Sequence, residues 1–202
     1  MHSHFRTSHF IVFDDAFLVN KQKRFLKVFK QVREQFDVSF YTPNGLHAAE
    51  IDQETAQLLY NCRFKMLRLS FESTASDILS RSSHKVNVKQ MIQAVDNLEK
   101  AGYNRNEIDV YLLFGLPGQS VAQIEAALDF IKNLGVNPHL SLFSPVPGTK
   151  EFNLLQETGV LSDPVNLYQT NKIYFLYSKS GLNGQEIKQL KDRSSLLLSP
   201  NH

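Results

Sequence analysis

The segment Ile108-Asp109-Val110-Tyr111-Leu112-Leu113-Phe114-Gly115-Leu116-Pro117-Gly118-Gln119-Ser120 decides the fold. An apolar run rich in β-branched and aromatic residues stops at Gly-Leu-Pro-Gly, and a helical pattern follows at once. This reads as the end of a buried strand, a tight turn and a helix start. In open α/β sheets and barrels that edge is where ligands sit. Glycine there lets backbone approach a ligand closely, and proline stiffens the turn.

The same unit recurs on both sides of this segment. His9–Phe13 reads as a strand ending at Asp14-Asp15, and Lys21–Phe36 as a helix with apolar positions at Phe25, Val28, Phe29 and Val32. Asp37–Tyr41 is a strand ending at Thr42-Pro43-Asn44-Gly45, and Asp52 caps a helix through Leu59. Met66–Phe71 is a third strand, ending at Glu72-Ser73. Asn87 caps a helix carrying Val88, Met91, Ile92, Val95 and Leu98, which Gly102 ends. Ser120 caps the helix behind the opening segment, which runs through Ile124, Ala127, Leu128 and Ile131 to Gly135. Leu140–Phe143 is a fifth strand, ending at Ser144-Pro145-Val146-Pro147-Gly148-Thr149. Ile173–Tyr177 is a candidate sixth strand, and Asn183 caps a last helix through Leu196.

Strands alternating with helices over short connections mean a parallel sheet with crossover helices. No Gly-rich dinucleotide fingerprint is present, so the expectation is an α/β fold: a partial (β/α) TIM-like barrel of about five to six parallel strands. No low-complexity linker interrupts the 202 residues, which are read as one domain with its core over 9–150 and an extension over 151–202.

Bulk properties narrow the function. A net charge of +2 and a pI near 8.6 are too mild to argue for nucleic acid. The lysines and arginines at 21, 23, 24, 27, 30 and 33 read as a solvated helix face. The single cysteine, Cys62, excludes a disulfide framework and any metal or cluster site built only from this chain's cysteines, and it reads as a buried structural thiol. His2, His4 and His9 cluster near the start and read as a solvated leader, with stray metal binding the alternative. With no secretory h-region and no apolar run of membrane length, the expectation is a cytoplasmic protein that does not meet a membrane.

Polar or glycine-rich residues recur at successive strand ends: Asp14-Asp15, Asn44-Gly45, Glu72-Ser73, Gly115 with Pro117-Gly118, and Ser144 with Pro147-Gly148-Thr149. Carboxylates, hydroxyls and exposed backbone on one barrel rim suit a polar, partly cationic ligand. Each also has a plainer role, since Asp favours turns, Glu72 can pair with Arg68, and Gly-Leu-Pro-Gly turns the chain in any fold.

The order FDDAF (13–17), LSFES (69–73), HKVNVKQMIQAVDNLEKAGY (84–103), VYLLFGLPGQS (110–120) and SLFSPVPGT (141–149) resembles the radical S-adenosylmethionine (SAM) enzymes. It looks most like the branch whose members often carry a cobalamin-binding domain, and it covers about Ile11 to Thr149. The resemblance implies that Asp14 and Asp15 meet the amino group of the cofactor, and that Glu72 and Ser73, with Ser70 before them, meet its ribose or methionine end. It further implies that Gly115, Leu116 and Pro117 lie against the adenine and that Pro147, Gly148 and Thr149 close the rim near it. The intact enzyme would use SAM, a 4Fe-4S cluster and, in that branch, cobalamin; no catalytic acid or base is assigned. The family's CxxxCxxC motif is absent, so the chain is expected to be a fragment or remnant lacking the first barrel strand and unable to hold the cluster alone. The alternatives are a non-catalytic ligand- or protein-binding module and a nucleic-acid-binding fragment. An unpaired edge beside Ile11 would invite a homodimer.

Overall fold

A computed structural model describes residues 7–14, 16–74, 86–162, 164 and 166–198. In chain order the elements are β1 (His9–Ile11), α1 (Phe25–Gln35), β2 (Ser39–Tyr41), β3 (Leu46–His47), α2 (Gln53–Asn61), β4 (Phe64–Phe71), α3 (Val88–Ala101), β5 (Ile108–Phe114), α4 (Val121–Asn133), β6 (Asn137–Leu142), α5 (Lys150–Glu157), α6 (Lys172–Lys179) and α7 (Gly184–Leu196). The sheet runs β1-β2-β4-β5-β6, with β3 beside β4 and off that path. The pairs β1–β2, β2–β4 and β3–β4 are parallel, with His9 opposite Ser39, Phe40 opposite Phe64 and His47 opposite Ser70. This is the mixed α/β architecture with crossover helices that the alternating pattern calls for, and a partial barrel accommodates it.

The chain packs as two compact units. The first holds Met1–Phe71, Val86–Tyr111 and Ile131–Asn137; the second holds Glu72–Lys85, Leu112–Phe130 and Pro138–His202.

The core of the first unit is a group of phenylalanine rings. Phe17, Phe25, Phe29, Phe40 and Phe64 lie with centroids 4.9 to 6.1 Å apart, several of them edge to face. Two sequence expectations for α1 are corrected here. The helix starts at Phe25 rather than Lys21, because Asn20 turns the chain at a φ of 53°. Its buried stripe is Phe25, Leu26 and Phe29, whereas Val28 stays 50% exposed. The helices expected after Asp52 and Asn87 start at those caps. The Asp52 carboxylate accepts from Thr55 N–H at 2.8 Å. Asn87 and Gln90 form a reciprocal capping box, and Gly102 ends α3 at a φ of 118°. Met91, Val95 and Leu98 of α3 are fully buried, and Asn97 donates to the Ile51 carbonyl at 2.9 Å.

The second unit is held by a cluster of Phe143, Phe152, Leu155, Leu161 and Phe175, with Leu113, Leu116 and Val160 against it. Ile173–Tyr177, expected as a strand, is helical and lies within α6. Asn171 decides this, since its side chain accepts from the N–H groups of Ile173 and Tyr174 at 3.0 and 3.1 Å and so caps a helix. A five-residue apolar run has no periodicity long enough to separate the two states. The Asn183 cap of α7 is present as a capping box with Glu186. Arg193 of α7 bridges Glu125 and Asp129 of α4 at 2.8 and 2.6 Å. Among the described residues no helix is long and apolar enough to cross a membrane.

The caps carry a measurable share of stability. Burial alone would raise the Asp52 carboxyl, but hydrogen bonds from Lys21 and Thr55 hold it below its ordinary value. Its contribution is therefore present at neutral pH and lost as pH falls through and below 3.8. Asp52→Ala is expected to cost about 1 kcal/mol at pH 7 and progressively less in acid, read from urea denaturation at several pH values.

Candidate functional site

In the first unit, parallel pairing puts the carboxyl ends of β1, β2 and β4 on one edge of the sheet. Asp14 follows β1 at that edge. Its carboxylate is engaged locally, with Oδ1 accepting from Ala16 N–H at 2.9 Å and Oδ2 bridging Arg24 at 2.8 Å. Asp15 lies outside the described residues. Ser70 closes on the loop after β2: a Cβ built on Gly45 would stand 1.9 Å from Ser70 Oγ, so a side chain there would displace the Ser70 hydroxyl. His47, opposite Ser70 in register, has a buried Nδ1 without a hydrogen-bond partner among the described residues.

A polar network crosses the sheet in this unit. β2 stops at Tyr41 and the chain resumes beside β4 as β3, which leaves the Pro43 carbonyl off the ladder. Tyr111 Oη donates to that carbonyl at 3.2 Å, and Arg68 Nη1 donates to it at 3.5 Å. The Arg68 guanidinium lies over the Tyr111 ring, 5.3 Å from its centroid. Its Nε reaches Asp109 Oδ2 at 3.5 Å, and Asp109 is 3% exposed. Asn137 Nδ2 donates to the Asn106 carbonyl at 2.8 Å and lies 3.5 Å from Asp109 Oδ1. The sequence expectations omitted Asp109, Tyr111 and Asn137. The signal was present as opposite charges within two largely apolar strands, Arg68 in β4 and Asp109 in β5. A charge there needs a partner on the neighbouring strand.

In the second unit, Glu72 and Ser73 follow β4 directly; Ser73 is fully buried and Glu72 half-buried. The turn after β5 is built around Gln119, which is buried at 4% exposure. Gln119 Oε1 accepts from the N–H groups of Gly115 and Leu116 at 3.0 and 3.3 Å, and its Nε2 donates to the Leu113 carbonyl at 3.3 Å. Gly115 has a φ of 86°, and a Cβ there would meet Leu176 Cδ1 at 2.7 Å. The close approach that glycine permits is thus made by a side chain of α6. Pro117 is half-buried in the same turn. Thr149 caps α5, accepting from Phe152 N–H at 3.2 Å and donating to the Val146 carbonyl at 2.8 Å. Pro147 and Gly148 are exposed, and a Cβ on Gly148 would meet nothing within 4 Å. The structure thus groups Asp14 with Ser70 in one unit, and Glu72, Ser73, Gly115, Leu116, Pro117, Pro147, Gly148 and Thr149 in the other.

Cys62 is buried beside the α2 terminus, where its Sγ donates to the Phe29 carbonyl at 3.3 Å. Burial pushes the thiol up to about 11. On the basic face of α1 and the turn before it, Lys21 pairs with Asp52, Arg24 with Asp14 and Lys30 with Glu54. These pairs engage three of the six cations at 21, 23, 24, 27, 30 and 33.

No protein-family model matches the chain, and no curated protein matches it by sequence. Solved structures match by fold. Coproporphyrinogen III oxidase from Escherichia coli, a radical SAM enzyme, aligns over 93% of this chain and 40% of its own, with a TM-score of 0.57 and 14% identity. The radical SAM methyltransferase TsrM from Kitasatospora setae, with cobalamin and a 4Fe-4S cluster bound, aligns over 78% of this chain and 30% of its own, with a TM-score of 0.64 and 14% identity. The same enzyme with tryptophan substrate and a SAM analogue aligns over 72% of this chain and 28% of its own, with a TM-score of 0.59 and 16% identity. The chain therefore has the α/β fold of these radical SAM enzymes and spans 28 to 40% of their length.

Arg68→Met is expected to cost about 2–3 kcal/mol, because the Asp109 carboxylate stays buried without its countercharge. Adding Asp109→Asn should recover much of that loss, which a double-mutant cycle in urea reads directly. Gln119→Leu leaves the turn donors of Gly115 and Leu116 unsatisfied and is expected to cost about 2 kcal/mol in the same assay. Native Cys62 should resist a thiol-specific disulfide reagent at pH 8 and react on unfolding.

Proposed function

We propose that this chain is the SAM-positioning part of a radical SAM enzyme barrel. The observation that supports this most is a coincidence of place. The segments whose order resembles that family end β4 and β5 and follow β1 and β6, in a chain whose fold is shared with solved radical SAM enzymes. In the first unit the residues we assign to the cofactor are Asp14 and Ser70; in the second they are Glu72, Ser73, Gly115, Leu116, Pro117, Pro147, Gly148 and Thr149; Asp15, assigned with Asp14, lies outside the described residues.

The chemistry of these groups suits a nucleoside-bearing sulfonium in part. Carboxylates attract the ammonium and sulfonium charge, and hydroxyls with carboxylates bond ribose. Leu116 supplies an apolar surface and Gly148 leaves open space. The N–H groups of Gly115 and Leu116 are held by Gln119, so adenine contact at this turn falls to carbonyl oxygen and apolar surface.

The iron–sulfur cluster does not fit this chain by itself. A cluster bound by three thiolates cannot be made from one cysteine, and Cys62 sits buried with its thiol protonated at neutral pH. We therefore derive no reductive step through the cluster. Cleavage of SAM and any use of cobalamin belong to the whole enzyme, and this chain's part is to orient the cofactor and shield it from water.

Equilibrium dialysis with radiolabelled SAM tests the reading. The chain should bind SAM saturably, and Glu72→Gln should weaken binding about tenfold without loss of folded signal. SAM analogues lacking the amino group should bind worse to wild type. Absence of saturable binding, or identical binding by Glu72→Gln and Asp14→Asn, overturns it.

A further inference from the structure

We propose that Arg68, on the half-open face of the sheet in the first unit, anchors a carboxylate group of the substrate. The assignment to a substrate rests on the function proposed above; the anion site itself rests on the residues around Arg68.

The two faces of β4 differ. Leu67, Leu69 and Phe71 are at most 1% exposed. Met66, Arg68 and Ser70 alternate with them and are half-buried. A period of two puts these three on the opposite face. β4 lies inside the sheet, with β2 on one side and β5 on the other, so the surroundings of Arg68 are set by strands on both flanks. Tyr111 of β5 is half-buried beside it.

The guanidinium is held in place without being used up. The Tyr111 ring lies under it at 5.3 Å, and that ring is fixed by its own bond to the Pro43 carbonyl. Arg68 Nε reaches Asp109 Oδ2 and Nη1 reaches the Pro43 carbonyl, each at 3.5 Å. Charge-assisted bonds of this kind ordinarily measure about 2.7–2.9 Å. Among the described residues Nη2 has no hydrogen-bond partner. The other bridged arginines of the chain look different. Arg105 makes bonds of 2.6, 2.8 and 3.0 Å, and Arg193 makes bonds of 2.6 and 2.8 Å. Their forks are filled, whereas the Arg68 side chain keeps free donors and 25% of its surface in solvent.

A carboxylate fits this edge. Two parallel N–H groups in a rigid plane match its two oxygens. Asp109, 3% exposed, already offsets one positive charge, so a single negative charge suits the site better than a phosphate dianion. The plane is preset by the ring below and the acceptors at its sides, so little ordering is left to the ligand. Ser70, assigned to the cofactor, is two residues further along the same face, about 7 Å away along the strand. A group held by Arg68 therefore lies deeper on the sheet than the cofactor and beside it.

Nitrogen–proton correlation spectra of the chain, titrated with acetate against chloride at constant ionic strength, test the site. The Arg68 Nε–H signal and the Leu69 and Ser70 amides should shift saturably, on the order of tens of millimolar, while the Nε–H signals of Arg105 and Arg193 stay fixed. Phosphate should bind more weakly. Arg68→Lys, which keeps the charge and loses the fork, should weaken the amide response at least about tenfold. Arg68→Met combined with Asp109→Asn, which removes both charges together, should abolish it with native circular dichroism. Absence of a saturable shift, an undiminished response in the double variant, or tighter binding of phosphate overturns the proposal. Acetate should leave the dissociation constant for radiolabelled SAM unchanged; displacement of SAM gives Arg68 to the cofactor's own carboxylate and overturns the substrate assignment. A chain that binds acetate at Arg68 but not SAM sinks the function proposed above and keeps the anion site, and one that binds SAM but not acetate does the reverse.

Discussion

Two parallel strands cannot be joined by a tight turn. The chain must leave the end of one, cross the sheet and return, and a helix is the cheapest way to satisfy the backbone during the crossing. In the first unit the rest follows from that constraint. The parallel pairing of β1, β2 and β4 brings their carboxyl ends to one edge, and α1 packs Phe25 and Phe29 against Phe40 and Phe64 of the sheet. The loops at that edge are free to carry polar residues, because the helices and the sheet already bury the apolar ones.

The edge is not simply a row of available ligands. Asp14 is tied to Arg24 and to its own turn, Ser70 presses on Gly45, and the β5 turn is closed around the buried amide of Gln119. Each arrangement rigidifies a strand end. A rigid end is what orients a cofactor, and it is also what a turn needs to exist. The same residues serve the fold and, in our proposal, the ligand; the two uses differ in which atoms they occupy. Gln119 takes the N–H groups of the β5 turn, while Gly148 keeps an open surface.

Arg68, Asp109, Tyr111 and Asn137 show the cost of polarity within the sheet. The break between β2 and β3 leaves the Pro43 carbonyl without a ladder partner, and side chains of β4 and β5 replace that bond. The Asp109 carboxylate, almost wholly buried, is met by a guanidinium and an amide. The network consists entirely of long-range contacts, so it forms only when the strands have found their neighbours.

Much of the fold was legible from local chemistry. Asp52, Asn87 and Asn183 announce helix starts and Gly102 a helix end, because capping satisfies backbone groups within a few residues and leaves its mark within a few residues. The alternation of strand and helix declared a parallel sheet for the same reason. What the sequence determined, then, was everything that short-range hydrogen bonding and periodicity encode: the α/β class, the helix limits at these caps, and the polar strand ends. Only the tertiary structure decided the rest. It made Ile173–Tyr177 a helix buried at Phe175 and Leu176, started α1 after a left-handed Asn20, and paired Arg68 with Asp109. The Arg68–Asp109 pair joins residues distant in the chain, whereas the Asn171 cap and the Asn20 turn act locally, and none of the three leaves a periodic signal.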